Sequence, residues 1–106
     1  MPTTDEEKIL PLEGEIDLHI SPQIAAALRK IIDQKPRKVV VDLSKVGYID
    51  SSGLAVLIEG MQKVEAYGGK LYLVALRENV RGVFETMRLD QAFRILPDVA
   101  AARAAG

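Results

Sequence analysis

The pattern of apolar and polar positions predicts strands that alternate with helices along the chain. Three consecutive β-branched residues, Val39 to Val41, predict a strand covered on both faces, because no polar residue alternates with them. A second buried strand is predicted from Lys70 to Leu76, and a short last one from Phe93 to Leu96. Lys8 to Glu13 is predicted to be an edge strand or a bulge, since Pro11 has no N–H to donate.

Capping residues and apolar residues at helical spacing predict the helices. The first helix begins at Ser21-Pro22, because a serine side chain can cap free N–H groups and proline suits the first helical position. The longest helix follows Asp50 and ends at Gly68-Gly69, because glycine readily adopts the left-handed conformation at a helix C-terminus. Asn79 is expected to cap a third helix, and the alanine-rich end predicts a fourth from Asp98 onward.

The alternation of strands and helices predicts an α/β fold with right-handed crossovers. The sheet is expected to be small, mixed but mostly parallel, with about four strands and about four helices. Asp42 to Gly47 are expected to form a loop within it. One domain of 106 residues is expected, in which residues 1–7 are flexible and residues 97–106 form a C-terminal helix or tail.

Charge balance and rare residue types exclude several functions. The 14 Lys and Arg and the 15 Asp and Glu leave a net charge of −1, which argues against direct nucleic-acid binding. The chain has no cysteine and one histidine, His19, so thiolate and most zinc sites are not expected. The longest apolar run, Leu54 to Ile58, is far shorter than the ~20 residues that span a bilayer. We therefore expect a cytoplasmic protein without membrane insertion, metal or cofactor.

The sequence motifs of catalysis are incomplete. No stretch has the glycine spacing of a P-loop or of a dinucleotide-binding loop. A hydrolase elbow needs glycines two residues before and two after the serine, and Ser51 has Ile49 before it and Gly53 after it. A relay would also need His19 beside Ser51, whereas a lone histidine near a helix start is more often a surface residue. We therefore expect that the protein is not an enzyme.

The segment Asp50 to Leu54 joins the extended Tyr48-Ile49 pair to the longest helix. Its N–H groups are expected to face outward at the positive end of the helix, where negative charge is stabilised. Phosphorylation of a hydroxyl there would add about −1.5 to −2 charges with little change in fold and a large change in binding. The alternative is that Asp50, Ser51 and Ser52 only cap the helix, because Ser and Asp are common caps.

Four segments of the chain together resemble one protein family. They are Gly14 to Asp17, Val39 to Leu43, Tyr48 to Leu54 and Gly68-Gly69. In this combination they resemble the STAS domain and, more narrowly, the bacterial anti-sigma-factor antagonists. The resemblance runs from about Lys8 to about Leu96, and its most specific part is the Asp-Ser-Ser-Gly-Leu motif.

The resemblance implies a partner-switching role in the regulation of transcription. In this family the unphosphorylated antagonist binds an anti-sigma factor that is also a serine kinase, and so frees the sigma factor. The kinase phosphorylates the first serine of the motif, which corresponds to Ser51, and the antagonist is released. A metal-dependent serine phosphatase then restores it. Asp50, Ser52 and Gly53 complete the motif in this chain.

The same resemblance extends the expected partner-binding surface. Glu15 and Asp17 belong to the segment that matches the Gly-Glu-Leu-Asp stretch of the family, near the same surface. Tyr48 is either an anchor for a partner, since tyrosine is enriched at binding hot spots, or packs against the helix.

Two alternatives remain open from the sequence. One is a STAS subunit that partners the ATPase of an ABC-type lipid transporter or serves another signalling scaffold. The other concerns the sheet edge: only seven residues precede Lys8, so the first strand of the family is expected to be short or absent here, and Pro11 is expected to weaken the pairing of the next one. An unprotected edge would allow a weak homodimer.

Overall fold

The computed structural model describes residues 4–105 and shows one sheet with helices between its strands. The strands are β1 (Thr4–Ile16), β2 (Pro36–Ile49), β3 (Lys70–Val74) and β4 (Arg94–Leu96). The helices are α1 (Ser21–Asp33), α2 (Ser51–Ala66), α3 (Glu78–Thr86) and α4 (Val99–Ala104). The strand order is β1-β2-β3-β4, and the three pairings in this part of the chain are all parallel. The predicted α/β class, with four strands and four helices, is confirmed.

The run Val39 to Val41 is fully buried because helices cover both faces of the sheet. Val39 and Val41 belong to the main core, which α1, α2 and α3 complete. Val40 faces the other side, where it packs with Tyr72 of β3 and Ala102 of α4. Successive residues of a strand point to opposite faces, so a strand with cover on both faces needs apolar residues at every position.

β2 continues well past Val41, so the prediction of a loop at Asp42 to Gly47 was wrong. The strand runs without a break to Ile49, and β1 follows it along the sheet edge. The pairing survives because the register shifts twice, after Pro11 and after Gly14, and Gly14 has a left-handed φ of 83°. Such bulges keep two strands paired where their alternation no longer matches. The edge position predicted for Pro11 is confirmed.

The start of the chain is more ordered than its polar composition predicts. β1 begins at Thr4, whose backbone pairs with Pro36, and Glu7 pairs with Lys38. Four of the seven residues that we expected to be flexible therefore lie in a strand, while residues 1–3 lie outside the described part. Pairing with β2 supplies backbone hydrogen bonds, and this pairing cannot be predicted from the local sequence.

The start of α3 differs from the predicted cap. The helix begins at Glu78, with Arg77 as its N-cap residue. The Asn79 side-chain amide instead donates to the Gly47 carbonyl at 2.6 Å, because β2 passes next to it. A side chain used in this tertiary contact is not available to cap the helix.

The helix ends that were predicted from neighbouring residues are confirmed. Gly68 has a φ of 89° after α2, and the Gly69 N–H donates to the Val64 carbonyl at 3.0 Å. This is the backbone pattern by which glycine terminates a helix. At the other terminus, the Asp98 side chain caps α4 by accepting from the Ala101 N–H at 2.8 Å.

A buried lysine from β2 fixes the end of α4. Lys38 is 4% exposed, and its Nζ donates to the carbonyls of Ala102 and Ala105 at 2.6 Å each. The same Nζ lies 5.5 Å from the centre of the Tyr72 ring. A cation at the C-terminus of a helix offsets the partial negative charge of the free carbonyls. Lys38 therefore joins α4 to the second face of the sheet.

Candidate functional site

The candidate site lies where β1 and β2 end and α2 begins. The last residues of the two strands, Ile16 and Ile49, are paired. Asp50 follows β2 directly, and its N–H donates to the Ile16 carbonyl at 3.1 Å. The carboxyl ends of parallel strands are where α/β sheets usually place functional residues.

Asp50 is the N-cap residue of α2. Its Oδ1 accepts hydrogen bonds from the Ser52 N–H at 2.9 Å and the Gly53 N–H at 3.3 Å. The Ser52 hydroxyl donates to the same oxygen at 2.5 Å. The bond from this hydroxyl, helped by the backbone N–H groups, lowers the pKa of the Asp50 carboxyl below its ordinary value of 3.8, since these donors favour the charged form. Asp50 is therefore an anion at neutral pH.

Ser51 is the first residue of α2, and its side chain is exposed. Within residues 4–105 its hydroxyl makes no hydrogen bond. The Ser52 and Gly53 N–H groups of the first helical turn donate to Asp50, while the helix dipole still favours negative charge at this end of α2. The hydroxyl is therefore exposed at the start of the longest helix, as the sequence predicts, and the N-cap of that helix is Asp50.

Ser52 differs from Ser51 because its hydroxyl is fully engaged. Besides Asp50, Ser52 Oγ contacts Ser21 Oγ at 2.8 Å. Ser21 Oγ in turn donates to the Asp17 carbonyl at 2.7 Å. The Asp17 carboxylate accepts from the N–H groups of His19 and Ile20, which shapes the turn before α1. The two motif segments, around Asp17 and around Asp50, are thus joined by side chains.

Gly53 allows α2 to sit directly on the strand ends. It is buried, and a Cβ at this position would lie 2.6 Å from Ile16 Cγ2 and 2.9 Å from Ile49 Cγ1. No side chain larger than hydrogen fits without movement of the core. The glycine of the motif therefore sets the distance between the helix start and the sheet.

Exposed side chains lie near the N-terminal end of α2. Glu15 is paired with Tyr48 across β1 and β2, and both are exposed, Tyr48 to 47%. Leu18, in the turn after β1, is 74% exposed, and its backbone N–H contributes to the lowered pKa of the Asp50 carboxyl.

Two residues of the site were missed from the sequence. Ser21 was read as a helix cap, but the N-cap residue of α1 is Ile20 and the Ser21 side chain points to α2. Leu18 could have been found from the sequence. It is a large apolar residue between Asp17 and His19 in a polar turn, which indicates an exposed contact residue.

The described residues contain no metal-binding group and no pairing of His19 with Ser51. Between residues 4 and 105, no three His, Asp or Glu side chains are placed to hold a metal ion. The Ser51 hydroxyl has no hydrogen bond to any base in this range. None of the helices in the described range is long and apolar enough to cross a bilayer.

Together the fold and the site define a small α/β domain that presents one unbonded serine hydroxyl at a capped helix start. The family model of the STAS domain matches residues 1–102. The chain therefore belongs to the STAS domain family.

Named relatives and solved structures of this family cover nearly the whole chain. A candidate anti-sigma factor antagonist of Bordetella bronchiseptica, BtrV, is 32% identical over 105 residues, 99% of this chain and 90% of that protein. The crystal structure of an anti-sigma factor antagonist from Mycobacterium paratuberculosis has a TM-score of 0.82 at 27% identity, covering 90% of this chain and 80% of that one. The phosphorylated form of the Bacillus cell fate determinant SpoIIAA has a TM-score of 0.70 at 25% identity, covering 95% and 92%.

Proposed function

We propose that this protein is an anti-sigma factor antagonist that works by partner switching. Unphosphorylated, it binds an anti-sigma factor that is also a serine kinase, and it thereby frees a sigma factor for transcription. Phosphorylation of Ser51 ends the binding. The main support is the Ser51 hydroxyl, exposed and without a hydrogen bond at the start of α2, in a chain similar to named antagonists over nearly its full length.

Phosphorylation of Ser51 changes the surface more than the fold. Ser51 Oγ attacks the γ-phosphorus of ATP and loses its proton, while the bond to the leaving ADP breaks. The phosphoserine has about −1.5 to −2 charges at neutral pH. No hydrogen bond in residues 4–105 is lost, because the free hydroxyl makes none. The first turn of α2 stabilises the new charge, so the core has no reason to rearrange.

Release follows from like charges at the contact. Phosphoryl transfer requires that the kinase holds its nucleotide within bonding reach of Ser51. After transfer, the phosphoserine and the remaining phosphates of the nucleotide face each other across the interface, and like charges directly opposed cost binding free energy. Asp50, an anion held next to Ser51, adds to the negative charge on this side.

The surface around Ser51 suits a partner with an apolar hollow and basic side chains at its rim. Leu18 and Tyr48 are two of the three large apolar side chains that the described residues leave exposed, and both lie at this end of the sheet. Exposed Glu13 and Glu15 lie along the same end of β1. Apolar anchors with charged surroundings are the usual composition of a protein-binding surface.

In this scheme the protein is the substrate of other enzymes and has no reaction of its own. The anti-sigma kinase adds the phosphate, and a metal-dependent serine phosphatase removes it. Both steps take place in the cytoplasm with the transcription machinery. The exposed position of Ser51 suits attack by either enzyme.

The modification is tested with purified protein, Mg·ATP and the anti-sigma serine kinase encoded in the same genome. Mass spectrometry is expected to find one phosphate on the wild type, located at Ser51, and only slow incorporation on Ser51→Ala. Ser44→Ala is the matched control, because Ser44 is also an exposed serine but lies within β2. Phosphate at another residue in both wild type and Ser51→Ala would remove the site assignment.

Binding is tested by pull-down of the same kinase with wild type, Ser51→Ala and Ser51→Asp. The alanine variant is expected to retain the kinase, and the aspartate variant to lose most of it. Equal recovery with all three would contradict the switch. Recovery of an ABC-transport ATPase in place of the kinase would favour the alternative that the sequence left open.

A further inference from the structure

A chain of oxygen atoms links the end of β1 to the start of α2. It runs from the Asp17 carbonyl through Ser21 Oγ and Ser52 Oγ to Asp50 Oδ1, with separations of 2.7, 2.8 and 2.5 Å. Ser21 is 4% exposed, so solvent has little access to the middle of this chain. The serines are 31 residues apart in sequence and come from different helices.

Proton positions in this chain follow from the charge at its end. Asp50 is ionised and can only accept, so the Ser52 hydroxyl donates to it. Ser21 has one proton, and its two neighbours, the Asp17 carbonyl and Ser52 Oγ, compete to accept it. When Ser21 donates to Ser52, the Ser52 hydroxyl both donates and accepts, and it is then held more firmly than a hydroxyl with a single partner.

The two adjacent serines of the motif therefore differ in exposure and in hydrogen bonding. Ser51 Oγ is exposed and unbonded, whereas Ser52 Oγ has hydrogen-bond partners on both sides. We propose that Ser21 is a positioning residue that holds the Ser52 hydroxyl in place and so directs phosphoryl transfer to Ser51. This role rests on the proposed function for the transfer step, while the hydrogen-bond chain itself is independent of it.

The chemistry of transfer explains why the engaged hydroxyl is the poorer acceptor. An attacking serine must turn its oxygen toward the γ-phosphorus of ATP, form the new O–P bond and release its proton as ADP leaves. Ser52 can do so only after it breaks its bonds to Asp50 and Ser21, which leaves the buried Ser21 hydroxyl with one partner fewer. Ser51 has no such bond to break.

The first experiment measures side-chain rotamers by NMR and needs no kinase. Three-bond Hα–Hβ couplings in the wild type are expected to show one rotamer for Ser52 and averaged rotamers for Ser51. Ser21→Ala is expected to average the Ser52 couplings, and Ser21→Thr, which keeps a hydroxyl, to preserve them. Averaged couplings for Ser52 in the wild type, or unchanged couplings in Ser21→Ala, would overturn the role of Ser21.

The second experiment measures selectivity with the kinase that modifies the wild type. Ser51→Ala removes the preferred acceptor, and phosphate on Ser52 is then followed with and without the additional change Ser21→Ala. We expect the double variant to incorporate phosphate on Ser52 about tenfold faster, because loss of one ordinary hydrogen bond changes a rate by about that factor. Equal rates in the two variants would overturn the proposal.

The two experiments separate the role of Ser21 from the phosphorylation of Ser51. If the kinase leaves every serine of the wild type unmodified, partner switching through Ser51 fails and the selectivity role fails with it. The NMR couplings then still decide whether Ser21 positions Ser52. If the kinase modifies Ser51 but the double variant gains nothing, only the role of Ser21 is lost.

Discussion

A Cβ at Gly53 would lie 2.6 Å from Cγ2 of Ile16, so the first turn of α2 rests directly on the end of β1. Gly53 does not have a positive φ, and the need for glycine is therefore one of space and not of backbone conformation. Ile16 is 1% exposed and cannot move outward to make room. The glycine of the motif thus couples the position of Ser51 to the packing of the core.

Gly53→Ala is expected to destabilise the protein. The added methyl group overlaps with Ile16 and Ile49, and overpacking of a core usually costs about 1–3 kcal/mol, which exceeds the gain in helix propensity of about 1 kcal/mol. The free energy of unfolding in urea measures the effect.

Gly82→Ala is the matched control for this substitution. Gly82 lies in the interior of α3, and a Cβ there would meet nothing within 4 Å. Alanine should therefore stabilise the protein by about 0.5–1 kcal/mol, through helix propensity alone. If the two variants changed stability in the same direction, the close approach of Gly53 to Ile16 would not matter energetically.

Lys38→Met is expected to loosen α4. Methionine retains the apolar stem but removes the Lys38 hydrogen bonds to the carbonyls of Ala102 and Ala105, of which only Ala102 keeps a second donor, the Ala105 N–H, so we expect a loss of about 1–3 kcal/mol. Amide hydrogen exchange should accelerate most in α4. The matched control is Lys63→Met, since Lys63 is 49% exposed and solvent screens its ion pair with Glu59 on α2. Uniform acceleration throughout the sheet would show that Lys38 does not act on α4 specifically.

The parts of the fold that were predicted correctly depend on local chemistry. The run Val39 to Val41 predicted a strand with cover on both faces, and the two cores on either side of it confirm this. Gly68-Gly69 predicted a helix end and Asp98 a helix start, because each conformation or cap is produced by residues within one turn.

The parts that were missed depend on contacts between distant segments. Asp42 to Gly47 look like a loop because their polar residues break the alternation, yet two register shifts in β1 keep them paired. Asn79 is a residue type that often caps helices, but its side-chain amide donates to a carbonyl 32 residues away in sequence. The contact of Ser21 with Ser52 is likewise invisible until α1 and α2 are placed side by side.

Substitutions at Ser51 are expected to leave stability nearly unchanged. Its hydroxyl makes no hydrogen bond in the described residues, so Ser51→Ala and Ser51→Asp should stay within about 0.5 kcal/mol of wild type. Ser52→Ala, in contrast, removes the bonds to Asp50 and Ser21 and should cost about 1–2 kcal/mol. Thermal unfolding of the three variants measures this difference. A large loss in Ser51→Ala would mean that the hydroxyl has a structural role, and binding data on that variant would need another explanation.

Acidification is expected to remove the contribution of the Asp50 cap. The hydrogen bond from the Ser52 hydroxyl lowers the pKa of Asp50 in the folded state below 3.8, so the folded protein holds this proton less tightly than the unfolded chain. The contribution of Asp50 is therefore complete above the unfolded pKa of about 4 and is lost as the pH falls through the folded value. Asp50→Asn keeps a capping oxygen but has no charge to titrate. The measurement is the difference in unfolding free energy between wild type and Asp50→Asn, obtained in urea from about pH 7 down to about pH 2.5. This difference should be constant above about pH 5 and shrink below about pH 4. All other groups titrate in both proteins, so their contributions cancel. A difference that stays constant over the whole range would show that the charge of Asp50 adds nothing to the cap, and that the first turn of α2 is held by backbone geometry and by Gly53 alone.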